Sequence, residues 1–235
     1  MKRFTNISQH QAVTALRFLY PLWAVLGIVS LQYIPSGIFI AEDAAKTFNN
    51  LTTNQGSLGM SIAGSLIVQL IHIIVVLVLY QLFKGVNKKY AMLVVILGLV
   101  GVPIAMFNEI NHVAALILTS GTEYLKALES SQLQSLVMFF HDLYNQGVVI
   151  ASIFWGLWLI PQGYLIIESK YFPKIFGRLM ILAGIGYFLG SFMQLLMLKN
   201  EAILSVFEIL IFGEVVFMLW VVIKGAKLSK AKSRS

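Results

Sequence analysis

Cysteine is absent from all 235 residues, and charge is scarce, at 11% of them. Without a thiol there is no disulfide, no thiolate metal site, no iron–sulfur cluster and no cysteine nucleophile. The shortage of charge excludes more. Soluble domains carry charge on about a quarter of their residues, whereas this chain pairs its 11% with 58% hydrophobic residues and a mean hydropathy of +0.83. A soluble core could not hide that much apolar surface, so lipid has to cover part of it. Catalytic signatures are missing too: there is no His-Glu-x-x-His, no Gly-x-Ser-x-Gly, no phosphate-binding loop and no dinucleotide fingerprint.

What the chain does have is long apolar runs. About twenty uncharged residues cross a bilayer core of roughly 30 Å, and such runs occupy residues 18–41, 47–83, 143–167 and 179–198. Two further stretches, 90–122 and 202–223, are broken only by Glu109 and by Glu208 and Glu214. The fold class is therefore all-α, a polytopic membrane protein with six transmembrane helices, and residues 1–235 form a single transmembrane domain. The first run exceeds the 7–15 residues of a signal peptide and lacks a small-x-small cleavage site, so it is expected to stay as an anchor.

Charge fixes the orientation. With the amino terminus inside, fourteen of the 17 Lys and Arg residues fall on the cytoplasmic side, and only Lys46, Lys126 and Lys199 lie outside. Positive charge in short loops marks the cytoplasmic face, so both termini are expected there, and the protein is expected in the cell membrane. A net charge of +7 would suggest nucleic acid in a soluble protein. Here the bilayer accounts for it, and no nucleic-acid partner is expected.

Residues 1–14 are read as a polar cytoplasmic segment, with the first helix running from about Ala15 to a break at Pro35-Ser36-Gly37. Two outer segments, 41–56 and 122–134, are read as short interfacial helices. In the former, Asp43 is placed to cap a helix that carries Phe48 and Leu51 toward lipid. Gly186-x-x-x-Gly190 is a small-xxx-small pattern, read as helix packing within the chain. Residues 225–235 form a basic tail that suits anionic lipid. The aromatic residues Trp23, Trp155, Trp158, Tyr164 and Trp220 suit interfacial belts and bundle packing.

Three stretches carry a resemblance. They are Asp43-Ala44-Ala45-x-Thr47-x-x-Asn50, then His141-Asp142-Leu143-Tyr144-x-x-Gly147, then a run made of Phe154-Trp155-Gly156-Leu157, Gly163-Tyr164-Leu165-Ile166, Ser169, Pro173, Gly177 and Gly184-Ile185-Gly186-Tyr187. From about Ala15 to Phe192 the chain resembles a family of bacterial membrane proteins known as domain of unknown function 4386. The resemblance implies an integral membrane protein and no activity.

Function has to be sought among polar side chains that lipid makes costly. Counting along the helices at about 1.5 Å per residue, Glu214 and His72 both lie near the midplane. An isolated carboxylate there costs about 2.5–3.5 kcal/mol, so Glu214 is expected to be neutral or paired, most simply with His72. A second group lies in the outer third: Asn108, Glu109, Asn111 and His112, then His141, Asp142, Asn145 and Gln146, with Glu208. Glu109 and His112 share a helix face. With His141 and Asp142 they offer the ligand types that zinc or non-haem iron accept, so a metal ion is one reading, although the di-iron pattern would need a second Glu-x-x-His.

Three functional readings stand. The polar groups form a packing network, a pathway for an ion, proton or small solute through an outward-facing pocket, or the metal centre of an intramembrane enzyme. A binding or transport-related membrane protein is the working hypothesis, and a metal-dependent enzyme is the alternative. No inverted repeat or broken-helix pair is evident, and a transporter of this size would need to form a homodimer.

Overall fold

The computed structural model describes residues 7–198 and 200–228. Six helical stretches are long and apolar enough to cross a membrane: Gln9–Ile38, Gln55–Phe83, Lys88–Leu118, Ser130–Ser169, Lys174–Leu195 and Glu201–Lys224. Hydrocarbon offers the backbone no water, so a single crossing segment must satisfy its own N–H and C=O groups, and a helix does that. The exposed side chains on these helices include Phe18, Met60, Ile96, Ile209 and Phe212, a surface suited to lipid.

Helix α1 (Gln9–Gly27) passes through a π-helical stretch (Ile28–Tyr33) into α2 (Ile34–Ile38). It starts at Gln9 rather than near Ala15 because Ser8 and Gln11 form a capping box. Gln11 N–H donates to Ser8 Oγ at 3.2 Å, and Ser8 N–H donates to Gln11 Oε1 at 2.8 Å. Nor does Pro35 break the first span. It sits in the first turn of α2, where a missing N–H is harmless, and the wider π turn before it lets Ile34 N–H reach Val29 O. The rest of the expected amino-terminal segment, residues 1–6, lies outside the described residues, as do Lys199 and residues 229–235 of the basic tail.

Helix α3 (Ala44–Thr53) follows, capped by Asp43, whose Oδ1 accepts from Lys46 N–H at 2.9 Å. Leu51 faces inward, not toward lipid. It is fully buried because it packs with Ile38, Leu58 and Leu118. Next come α4 (Gln55–Phe83), α5 (Lys88–Asn108) and α6 (Ile110–Leu118), the last two separated only at Glu109. The second outer segment is no surface helix: a 3-10 turn at Glu123–Ala127 buries Leu125, and α7 (Ser130–Leu157) begins at once. Helices α8 (Leu159–Ser169), α9 (Lys174–Leu195) and α10 (Glu201–Lys224) complete the chain.

Contacts divide the chain into two compact units. One holds Met1–Pro21, Ile73–Gly101 and Ser152–Ser235, and the other holds Leu22–His72 and Val102–Ala151. In the first, glycines let helices approach until backbones touch. A Cβ on Gly163 would lie 2.5 Å from Gly177 O, and one on Gly156 2.6 Å from Gly184 O. Gly186 and Gly190 both face Phe207 of α10, so this small-xxx-small pattern packs within the chain. In the second unit, Ile38, Phe39, Leu51, Leu58, Ala115 and Val137 share an apolar cluster. Beside it lies the candidate site.

Candidate functional site

The site is built around Glu109, a carboxylate only 4% exposed at the joint between α5 and α6. Burying such a group is costly unless it is hydrogen-bonded, and three side chains surround it. Ser65 of α4 donates its hydroxyl to Oε1, and Tyr144 of α7 donates to the same oxygen at 3.3 Å. His112, one turn along α6, brings Nδ1 to 3.3 Å from Oε2. Three helices of one unit thus converge on a single acid.

Aromatic rings enclose the histidine. His112 stacks on Tyr144 with centroids 3.6 Å apart, and Phe39 stacks on His141 at 3.9 Å and on His112 at 5.3 Å. The two imidazoles are nearly parallel, 6.1 Å apart. His112 Nε2 and His141 Nδ1 are both buried, and neither has a hydrogen-bond partner among the described residues.

Local structure explains why these rings meet. Phe39 is extended, directly after α2. Its neighbours are tied to α3: Ile40 N–H donates to Thr47 Oγ1 at 2.8 Å, and Asn50 Nδ2 donates to Ile38 O at 3.1 Å. Asp43, Thr47 and Asn50 therefore act together to hold Phe39 over the histidines. On α7, Gly147 has no side chain because the Asn108 amide occupies the space a Cβ would need. From there Asn108 Nδ2 donates to Tyr144 O at 2.8 Å, and Asn111 Nδ2 donates to Asn108 Oδ1 at 3.0 Å.

A buried polar stripe leaves the site along α4. Ser61, Ser65, Gln69 and His72 are all buried, at spacings of four, four and three that keep them on one helix face. Ser61 Oγ donates to Ser30 O at 2.6 Å, and the His72 ring lies 5.4 Å from that of Trp23. Gln69 Oε1 and Trp23 Nε1 are buried with no hydrogen-bond partner among the described residues. From Ser65 to His72 the stripe runs about 10 Å along the helix axis.

Several expected residues stand apart. Asp142, Asn145 and Gln146 are exposed, because α7 is rotated to turn His141 and Tyr144 inward. Glu208 is exposed on α10, in the other unit. The metal set of Glu109, His112, His141 and Asp142 does not assemble: Asp142 points away, and no group of three or more His, Cys, Asp or Glu among the described residues could hold a metal ion. His72 and Glu214 fall in different units. Glu214 is half-buried, within electrostatic reach of Tyr20 and Tyr187, and the Gln162 side chain hydrogen-bonds Tyr20. Sequence reasoning missed Ser61, Ser65 and Phe39, and it met Tyr144 only through the family resemblance. The serines carried a signal in their helical spacing with Gln69 and His72, whereas Phe39 carried none.

The model of a family described as a domain of unknown function, DUF4386, matches residues 18–225. The chain belongs to this family. An uncharacterized protein of Archaeoglobus fulgidus is 28% identical over 173 residues, covering 74% of this chain and 88% of that relative. The likeness therefore extends to archaea. No solved structure matches the chain. One of the stretches that carry the DUF4386 resemblance supplies His141, Tyr144 and Gly147 to this site, and another, through Thr47 and Asn50, holds the neighbours of Phe39.

Proposed function

We propose that this DUF4386 protein binds protons at Glu109 and moves them along the α4 stripe, as a multi-pass protein of the cell membrane. One observation carries the reading: a buried carboxylate is joined by the Ser65 hydroxyl to a line of buried polar side chains leading to His72. Acids are costly inside a membrane, and those found there commonly mark ion or proton paths. Hydroxyls and imidazoles can pass a proton, and Ser61, Ser65, Gln69 and His72 follow one another along α4 at helical spacing. A packing network needs its polar atoms satisfied, yet His112 Nε2, His141 Nδ1 and Gln69 Oε1 are buried without partners among the described residues. The enzyme reading is weaker, since the set offered for a metal lacks a converging third ligand.

The test is proton flux in vesicles. Purified protein is reconstituted into liposomes that enclose a pH-sensitive dye, and an acid step is applied under a potassium clamp. Wild type is expected to collapse the gradient faster than protein-free vesicles, and Glu109→Gln is expected to match the empty ones. Equal rates for wild type and Glu109→Gln would overturn the proposal.

A further inference from the structure

We infer that His141 and His112 form the entry relay to Glu109, with a single bound water bridging His141 Nδ1 and His112 Nε2. This rests on the proton-site reading and adds the route by which the acid is loaded. His112 is fully buried, and it presents one ring nitrogen to Glu109 Oε2 at 3.3 Å while the other is unpartnered. An imidazole held in this way can accept a proton at Nε2 and release the one on Nδ1. His141 is half-buried, with its Nδ1 inside and unpartnered, so it reaches both the interior and the surface. The rings are nearly parallel with centroids 6.1 Å apart, and both inward nitrogens are unpartnered; a water bridging two such groups is enthalpically close to a direct hydrogen bond.

The step balances. An imidazolium at His141 gives its Nδ1 proton to the water, and the water gives one of its protons to His112 Nε2. His112 then releases its Nδ1 proton to Glu109 Oε2. His141 and His112 are again neutral, His112 now with its proton on Nε2, the water is regenerated, and the acid is protonated. The groups facing this path are Phe39 from the turn after α2, Ser65 from α4 and Tyr144 from α7, with exposed Asp142 beside His141. Phe39 and Tyr144 stack on His112 and hold its ring plane, which fixes where Nε2 points.

The experiment follows the carbonyl stretch of protonated Glu109 by time-resolved infrared spectroscopy after a pH jump, in full-length protein in liposomes. The band is identified as the one that Glu109→Gln removes. His141→Phe keeps a ring against Phe39 but carries no proton. It is expected to slow appearance of the band about a hundredfold, the low end for a positioned proton donor, while its final amplitude is unchanged. His141→Ala should be slowed similarly, and imidazole added to the medium should restore its rate. An unchanged rate in both variants would overturn the relay, and so would slowing that imidazole fails to rescue, because that is a structural effect. If wild type shows no Glu109 band at any pH, the proton-site reading falls and the relay falls with it.

Discussion

Replacing Gly147 by alanine tests the geometry of the site through one methyl group. Mid-helix, alanine is better than glycine by about 0.5–1 kcal/mol, so the change would stabilise α7 if space allowed. Space does not, because the Asn108 amide fills it. Asn108 must move and lose its 2.8 Å bond to Tyr144 O. An interhelical hydrogen bond in a membrane protein contributes about 0.6 kcal/mol on average and about 1.7 at most, and overpacking adds about 1–3 kcal/mol. The penalties outweigh the gain, and Gly147→Ala should destabilise by about 1–3 kcal/mol. Reversible unfolding in mixed micelles with increasing dodecyl sulfate measures this. In an Asn108→Ala background the methyl has room, so Gly147→Ala should become neutral or stabilising. Gly59, with nothing within 4 Å of its would-be Cβ, is the control and should tolerate alanine. Additivity of Gly147→Ala and Asn108→Ala within about 0.5 kcal/mol would refute the packing argument.

Two further outcomes follow from the helix ends. A reporter fused after Lys89 or after Ser235 should be active only in the cytoplasm, and one after Gly56 only outside, because 14 of the 17 basic residues fall on one side; an external carboxyl terminus would contradict the six-span arrangement. Asp43→Ala removes the cap on α3 and should cost about 0.5–2 kcal/mol by the same unfolding assay, whereas a cost near zero would mean that α3 is held without it.

The six spans were legible because lipid imposes one simple requirement, a long run without charge. The cap at Asp43 was legible because capping is local: one side chain and the N–H three residues on. The Ser8–Gln11 box is equally local, yet it lies among polar residues that suit a cytoplasmic segment as well. Rotation about a helix axis is another matter. His141 and Asp142 are neighbours in sequence at similar depth, yet one is stacked under Phe39 and the other is exposed. Nothing local to α7 decides that; its contacts with α5, α6 and the turn after α2 do. Leu51 shows the same limit, since an amphipathic helix reveals which residues share a face but not what covers it. Glu109 was visible as a costly acid, but its partner Ser65 was not, because serine is unremarkable in a membrane helix until a carboxylate lies opposite.

The most direct measurement of the central claim is the equilibrium infrared difference spectrum of the reconstituted protein between alkaline and acidic medium, recorded for wild type and for Glu109→Gln. If Glu109 is the proton-binding group, wild type gains a protonated-carboxyl carbonyl band on acidification, the band shifts in heavy water, and Glu109→Gln lacks it. Spectra that coincide in that region would contradict the account.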